Sequence, residues 1–121
     1  MADDALTPEE VEVFARGLYY IAAQDGIDDR ETDLIKEFLT DANSDLQVAD
    51  LEGDFSPLEA AQILDTTFLR RIFLKLAVAL VRADGVYSEN ERICLGAFAD
   101  AFEISNAEFG QIESDARNLS L

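Results

Sequence analysis

The chain has 121 residues, the usual length of one domain, and its 9 Lys+Arg against 26 Asp+Glu leave a net charge of -17 that repels a nucleic-acid backbone. With 49% hydrophobic residues it can fill a core that an acidic disordered tail could not. The absence of histidine excludes Ser–His and Cys–His nucleophile pairs and imidazole ligands, and a single cysteine excludes an internal disulfide or a thiolate zinc cluster and fits a reducing compartment.

The opening Met-Ala-Asp-Asp-Ala-Leu-Thr-Pro is acidic where an export leader would be basic and then apolar, so a cytoplasmic protein is expected. Thr7 with Glu10 forms the first capping-box pattern, with Pro8 at the first helical position. Val11, Phe14, Leu18, Ile21 and Ala22 then make one helical stripe. An Asp25-Gly26 turn follows, and Asp28 with Glu31 starts a second helix whose stripe is Leu34, Ile35, Phe38 and Leu39. From Asp41 to Phe55 the pattern is irregular. Ser44 with Gln47 can cap a short helix that Gly53 must end. Residues 41–52 imitate a calcium loop, but Leu46 stands where that loop needs glycine and the Gly53–Pro57 stretch breaks the helix that should follow, so a solvated acidic linker is expected.

Ser56 with Glu59, and Pro57 between them, start a short helix carrying Leu58, Ala61 and Leu64. Next comes a long helix with Phe68, Leu69, Ile72, Phe73, Leu76, Ala77, Leu80 and Val81, apolar almost all round and therefore expected at the centre. Its strongly apolar part is far short of the roughly 20 residues that span a bilayer, so no direct membrane insertion is expected. After Asp84-Gly85, Ser88 with Glu91 opens a helix bearing Ile93, Ala97, Phe98, Ala101 and Phe102. Ser105 with Glu108 opens the last, with Phe109, Ile112, Ala116 and Leu119. The fold class is all-α, a bundle of six or seven helices in a single domain over residues 1–121.

Two segments repeat. Ile21-Ala22-Ala23-Gln24-Asp25-Gly26 and Leu80-Val81-Arg82-Ala83-Asp84-Gly85 stand at a constant offset of 59, each closing a long apolar helix and leading into a capping box. The unit is a helix-turn-helix used twice, near residues 8–40 and 67–103, which predicts a pseudo-symmetric bundle.

The Ala/Gln-Asp-Gly turn followed by Glu31 or Glu91, six or seven residues beyond the Asp, resembles the TerB-like family of tellurite-resistance and stress-response proteins. Gln24 replaces the usual Ala in the first copy, and Glu31 is one residue nearer its Asp than Glu91 is. The resemblance runs from about Thr7 to Ala116 and implies an all-helical cytoplasmic protein without established catalysis, with acidic metal or partner surfaces. It also implies a protein partner, including components of a membrane-associated stress complex.

The acidic turns admit two readings. In one, Asp25 and Asp84 accept backbone amides while Gly26 and Gly85 supply left-handed caps. In the other, Asp25, Asp28, Asp29 and Glu31, or Asp84, Glu89 and Glu91, gather oxygens for a calcium or magnesium ion, hard cations that need neither nitrogen nor sulfur. Charge is also unevenly spread. Residues 1–65 hold 18 acids against 3 bases and residues 66–121 hold 8 against 6, so the N-terminal half is either a solubility coat or a face for a basic protein partner. Arg71, Lys75 and Arg82 form a stripe expected at a solvent edge, paired with acids, and Cys94 reads as a small buried hydrophobe. The function expected is a non-enzymatic interaction or stress-response module. A carboxylate-only, magnesium-assisted hydrolase and a structural subunit of a larger assembly are the alternatives.

Overall fold

Each helix begins where a side chain can satisfy the amides that the first turn leaves without partners. The computed structural model describes residues 6–82 and 88–116, the side chain of residue 25 excepted. Among them, six α-helices form: α1 (Pro8–Ala22), α2 (Asp29–Asp41), α3 (Pro57–Ile63), α4 (Thr67–Val81), α5 (Glu89–Ala101) and α6 (Asn106–Ala116). No strand occurs among the described residues, and the fold is all-α. None of the helices is long and apolar enough to cross a membrane.

Four of the five expected boxes close in both directions: Thr7–Glu10, Asp28–Glu31, Ser88–Glu91 and Ser105–Glu108. At α3 only the forward bond forms, Glu59 N donating to Ser56 Oγ at 3.3 Å. α4 starts without a box. Thr66 Oγ1 accepts from Leu69 N at 3.2 Å, and the apolar Leu69 at the third position has nothing to return. The expected cap at Ser44 moves to Gln47, whose amide donates to Asp50 at 2.9 Å and starts a 3-10 turn over Val48–Leu51. That segment is more than a solvated linker. Its acids are exposed, but Leu51 and Phe55 are buried in the common core and anchor it.

One hydrophobic core serves all six helices. α1 packs on α2, α3 and α4, while α4 also receives α5 and α6, and α3 lies on α5. Phe73 of α4 is fully buried at the centre, 5.5 Å from the Phe14 ring, 5.3 Å from Phe98 and 5.9 Å from Phe102, centroid to centroid. It reaches there because Gly17 has no side chain, since a Cβ on residue 17 would lie 2.5 Å from Phe73 Cζ. The long helix is not buried all round. Phe68 is 71% exposed because, at about 100° per residue, it points roughly 180° away from buried Ala77. Ile93 is 63% exposed for the same reason relative to Leu95, as is Leu58 relative to Ala60, and Ala97 is exposed as well.

The two sequence copies correspond in length, order and ends. α1 and α4 are both 15 residues long, and α2 and α5 both 13. α2 and α5 also end alike, with Asn43 (φ 58) and Glu103 (φ 60) left-handed and Ser44 N and Ile104 N each donating 2.9 Å back across the last turn to Leu39 O and Ala99 O. The helix after each copy covers that copy's first helix, α3 on α1 and α6 on α4, but packing differs in that α3 also lies on α5.

Arg70 performs a long-range task invisible in the local pattern. Its guanidinium donates to the carbonyls of Ala61 (2.9 Å) and Phe102 (3.2 Å) and also to that of Leu64, and it lies 5.5 Å above the Phe102 ring. A cation thus meets the carbonyl-rich ends of α3 and α5 together, where their dipoles are negative. Arg71, in the expected stripe, pairs with Glu108. The Ser105 amide and hydroxyl and then Arg71 hold the Glu108 carboxyl below the usual carboxylate range.

Cys94 is buried, as expected of a small hydrophobe, and burial first and the Glu91 carboxylate second push its thiol up from 9.0 to about 11. A raised folded pKa means that the native thiol keeps its proton while the unfolded one loses it, so stability falls as pH rises through roughly 9 to 11. Denaturant titrations across that window should show a steeper loss in the parent than in Cys94→Ala. Equal slopes in the two proteins would contradict this protonation state.

Candidate functional site

The acidic turns lie where two helical segments meet end to start. α1 passes into a 3-10 turn over Ala23–Asp25, closed by Gly26 N donating to Ala23 O at 3.2 Å. Gly26 then takes φ 83 and ψ 121. The positive φ is as expected, but this ψ lies outside the left-handed helical region, in backbone open almost solely to glycine. α2 begins three residues later and packs on α1.

Asp28 caps α2. Its Oδ1 accepts from Glu31 N at 2.8 Å, Glu31 Oε1 accepts from Asp28 N at 3.3 Å, and the Thr32 hydroxyl donates to Asp28 O at 3.0 Å. The start of α5 has the same construction, with Ser88 Oγ accepting from Glu91 N at 3.1 Å and Glu91 Oε1 from Ser88 N at 3.0 Å. What separates these two starts from those of α1 and α6 is burial. Glu31 is 2% and Glu91 5% exposed, and they are the buried charged residues of the described chain, whereas Glu10 and Glu108 hold the same position only half-buried. A buried carboxylate is costly unless amides receive it, and the positive end of a helix dipole supplies them.

The expected ligand sets are therefore divided. Asp28 and Glu31 come together as a capping pair, while Asp29 and Glu89, each at the first helical position, are exposed. Glu91 pairs with Ser88 rather than with a second acid in the cap itself. Asp84 and Gly85, and the side chain of Asp25, lie outside the described residues. Among the described residues no group of three or more acids or thiols is placed to hold a metal ion. Spacing made Glu31 and Glu91 visible as caps, but their burial depends on helices far away in sequence.

A second acidic feature runs along the outer side of α2 and the loop after it. Asp33, Glu37, Asp41, Asp45 and Asp50 are all exposed, and among the described residues none is ion-paired. Elsewhere Glu12 is held by Arg16 at 2.9 Å. Uncompensated like charges on one side of a small domain create a negative potential that attracts cationic groups at a distance.

Neither the curated proteins nor the solved structures yield a match to this sequence. The profile of a family described as tellurite resistance protein TerB matches residues 1–114, which include both Asp-Gly turns and all but the end of α6. With the all-helical bundle and its two buried capping glutamates, that match settles the family: the chain belongs to the TerB family.

Proposed function

We propose that this TerB-family chain is a non-catalytic docking module of a tellurite-type stress response, and that its acidic N-terminal half is the surface a basic protein partner recognises. The observation that carries the reading is the row of exposed carboxylates from Asp33 to Asp50, left without ion pairs among the described residues, whereas the buried Glu31 and Glu91 are engaged in helix caps. A basic region on a component of a membrane-associated stress complex has the chemistry such a surface selects. Electrostatic attraction of this kind speeds encounter and weakens with salt.

Affinity purification of the full chain from its native cell, with and without Asp33→Asn, Glu37→Gln, Asp41→Asn, Asp45→Asn and Asp50→Asn together, tests this reading. A reproducible partner is expected with the parent, and its recovery from the variant should fall about tenfold at low salt. Full recovery by a folded variant would make the acids a solubility coat and overturn the proposal.

The proposal extends to weak calcium or magnesium binding at the Asp25 and Asp84 turns, and its support is the sequence alone, which gathers Asp25, Asp28, Asp29 and Glu31 at one turn and Asp84, Glu89 and Glu91 at the other. Calorimetric titration with calcium at fixed ionic strength should give a saturable heat that Asp25→Asn or Asp84→Asn removes. Identical featureless traces for parent and variants would leave the turns with a structural role alone.

A further inference from the structure

The space between α1, α2 and α4 is not fully closed. A cleft of about 350 Å³ opens there, with Leu18, Leu34, Phe38, Leu76 and Leu80 on its walls and Glu37 and Asp41 at its edge. Phe38 and Asp41 also line a second hollow of about 280 Å³. That hollow shares Leu6, Val11, Ala42 and Asn43 with a third of about 400 Å³ that ends at Asp45 and Leu46. Shared walls make the three one groove, which follows α2 from Leu34 to Asp41 and continues along the loop after it. Eight helical residues give about 10 Å of wall, enough for two turns of an incoming helix.

Its chemistry is two-layered. The floor is apolar, and Leu34, Phe38, Leu46 and Leu76 are only half-buried although each packs against the core. The rim is anionic. Glu37, Asp41 and Asp45 are exposed and carry no ion pair among the described residues, and no lysine or arginine lines any of the three hollows. Glu12, also on the rim, is already neutralised by Arg16. A fourth hollow shares Ser44 and Leu46 with the third and carries Lys36, so one cation stands at the far end of a rim that holds three free acids.

We infer that this groove is the docking site for a cationic amphipathic helix of a protein partner, an inference that rests on the docking role proposed above and names its surface. Apolar side chains spaced three and four residues apart enter the floor, and flanking Lys or Arg side chains meet Glu37, Asp41 and Asp45. A second copy of this chain is a poor occupant, because each copy brings a charge of -17 to the same place.

The test titrates the full chain with a synthetic Leu/Lys peptide of about 18 residues, leucines at helical spacing, alongside a scrambled peptide of the same composition and a Leu/Glu analogue. Binding is read by amide chemical shifts and by calorimetry at two salt concentrations. The groove predicts saturable binding of the amphipathic peptide with shifts centred on Leu34, Phe38, Leu46 and Leu76. It also predicts affinity about fivefold to tenfold lower for Glu37→Gln/Asp41→Asn/Asp45→Asn, whose exposed positions leave the fold intact. Leu34→Lys, once shown to melt cooperatively, should lose binding altogether. Equal affinity for the scrambled peptide, shifts dispersed over other faces, or unchanged binding by these variants would each overturn the groove. A native partner retained by Leu34→Lys but lost with the five-acid variant would overturn the groove alone and leave the docking role standing.

Discussion

The contact of Phe73 with Gly17 is the constraint on which the bundle depends. Glycine inside a helix is about 1 kcal/mol less favourable than alanine, so its place in the middle of α1 needs a compensating gain. The gain is the fully buried ring of Phe73, seated where a Cβ would be 2.5 Å away. From that seat Phe73 touches Phe14 of α1 and Phe98 and Phe102 at the end of α5, and Phe98 hands the contact on to Phe55 and Tyr20. Aromatic pairs at such spacings add about 0.5–1.5 kcal/mol each beyond the area they bury. The two sequence copies are thereby one core, and neither half has a complete interior without the other.

That core determines what the acids can do. Four glutamates are committed to helix starts, and two of them, Glu31 and Glu91, are enclosed because α2 and α5 are drawn inward by Ile35 and Leu39 and by Leu95 and Phe98. The exposed carboxylates Asp33, Glu37 and Asp41 of α2 carry no ion pair among the described residues, and the incomplete closure of α1, α2 and α4 leaves apolar side chains beside Glu37 and Asp41. The buried acids belong to the helix caps of the scaffold, and the docking surface proposed above uses the exposed acids beside an apolar floor.

Much of the fold was legible because its signals are local. A capping box spans four residues and a helical stripe a dozen, so the starts of α1, α2, α5 and α6 and the all-α class could be read directly. Thr66 escaped because Leu69 cannot complete a box, and the ends of α2 and α5 escaped because Asn43 and Glu103, not glycine, adopt the left-handed turn. The task of Arg70 spans 32 residues to Phe102, and the outward direction of Phe68 and Ile93 follows from which neighbours cover each helix, neither of which periodicity contains. At the site, the spacing singled out Glu31 and Glu91 but not their burial, and the groove exists only once α4 lies across α1 and α2. Residues 41–52 imitate a calcium loop in spacing, and there Gln47, Asp50 and Leu51 build a short anchored turn.

The most direct measurement of the shared core is a double-mutant cycle on Gly17→Ala and Phe73→Leu, read by denaturant unfolding. Gly17→Ala gains about 1 kcal/mol of helix propensity but forces a collision with a ring held on several sides, an overpacking that costs about 1–3 kcal/mol. Phe73→Leu removes that ring and leaves a cavity of its own. If the Gly17–Phe73 contact organises the bundle, the double variant is more stable than the sum of the single effects by about 1 kcal/mol or more, because each change relieves the defect of the other. Additivity within about 0.3 kcal/mol would show the two positions to be independent and contradict the account.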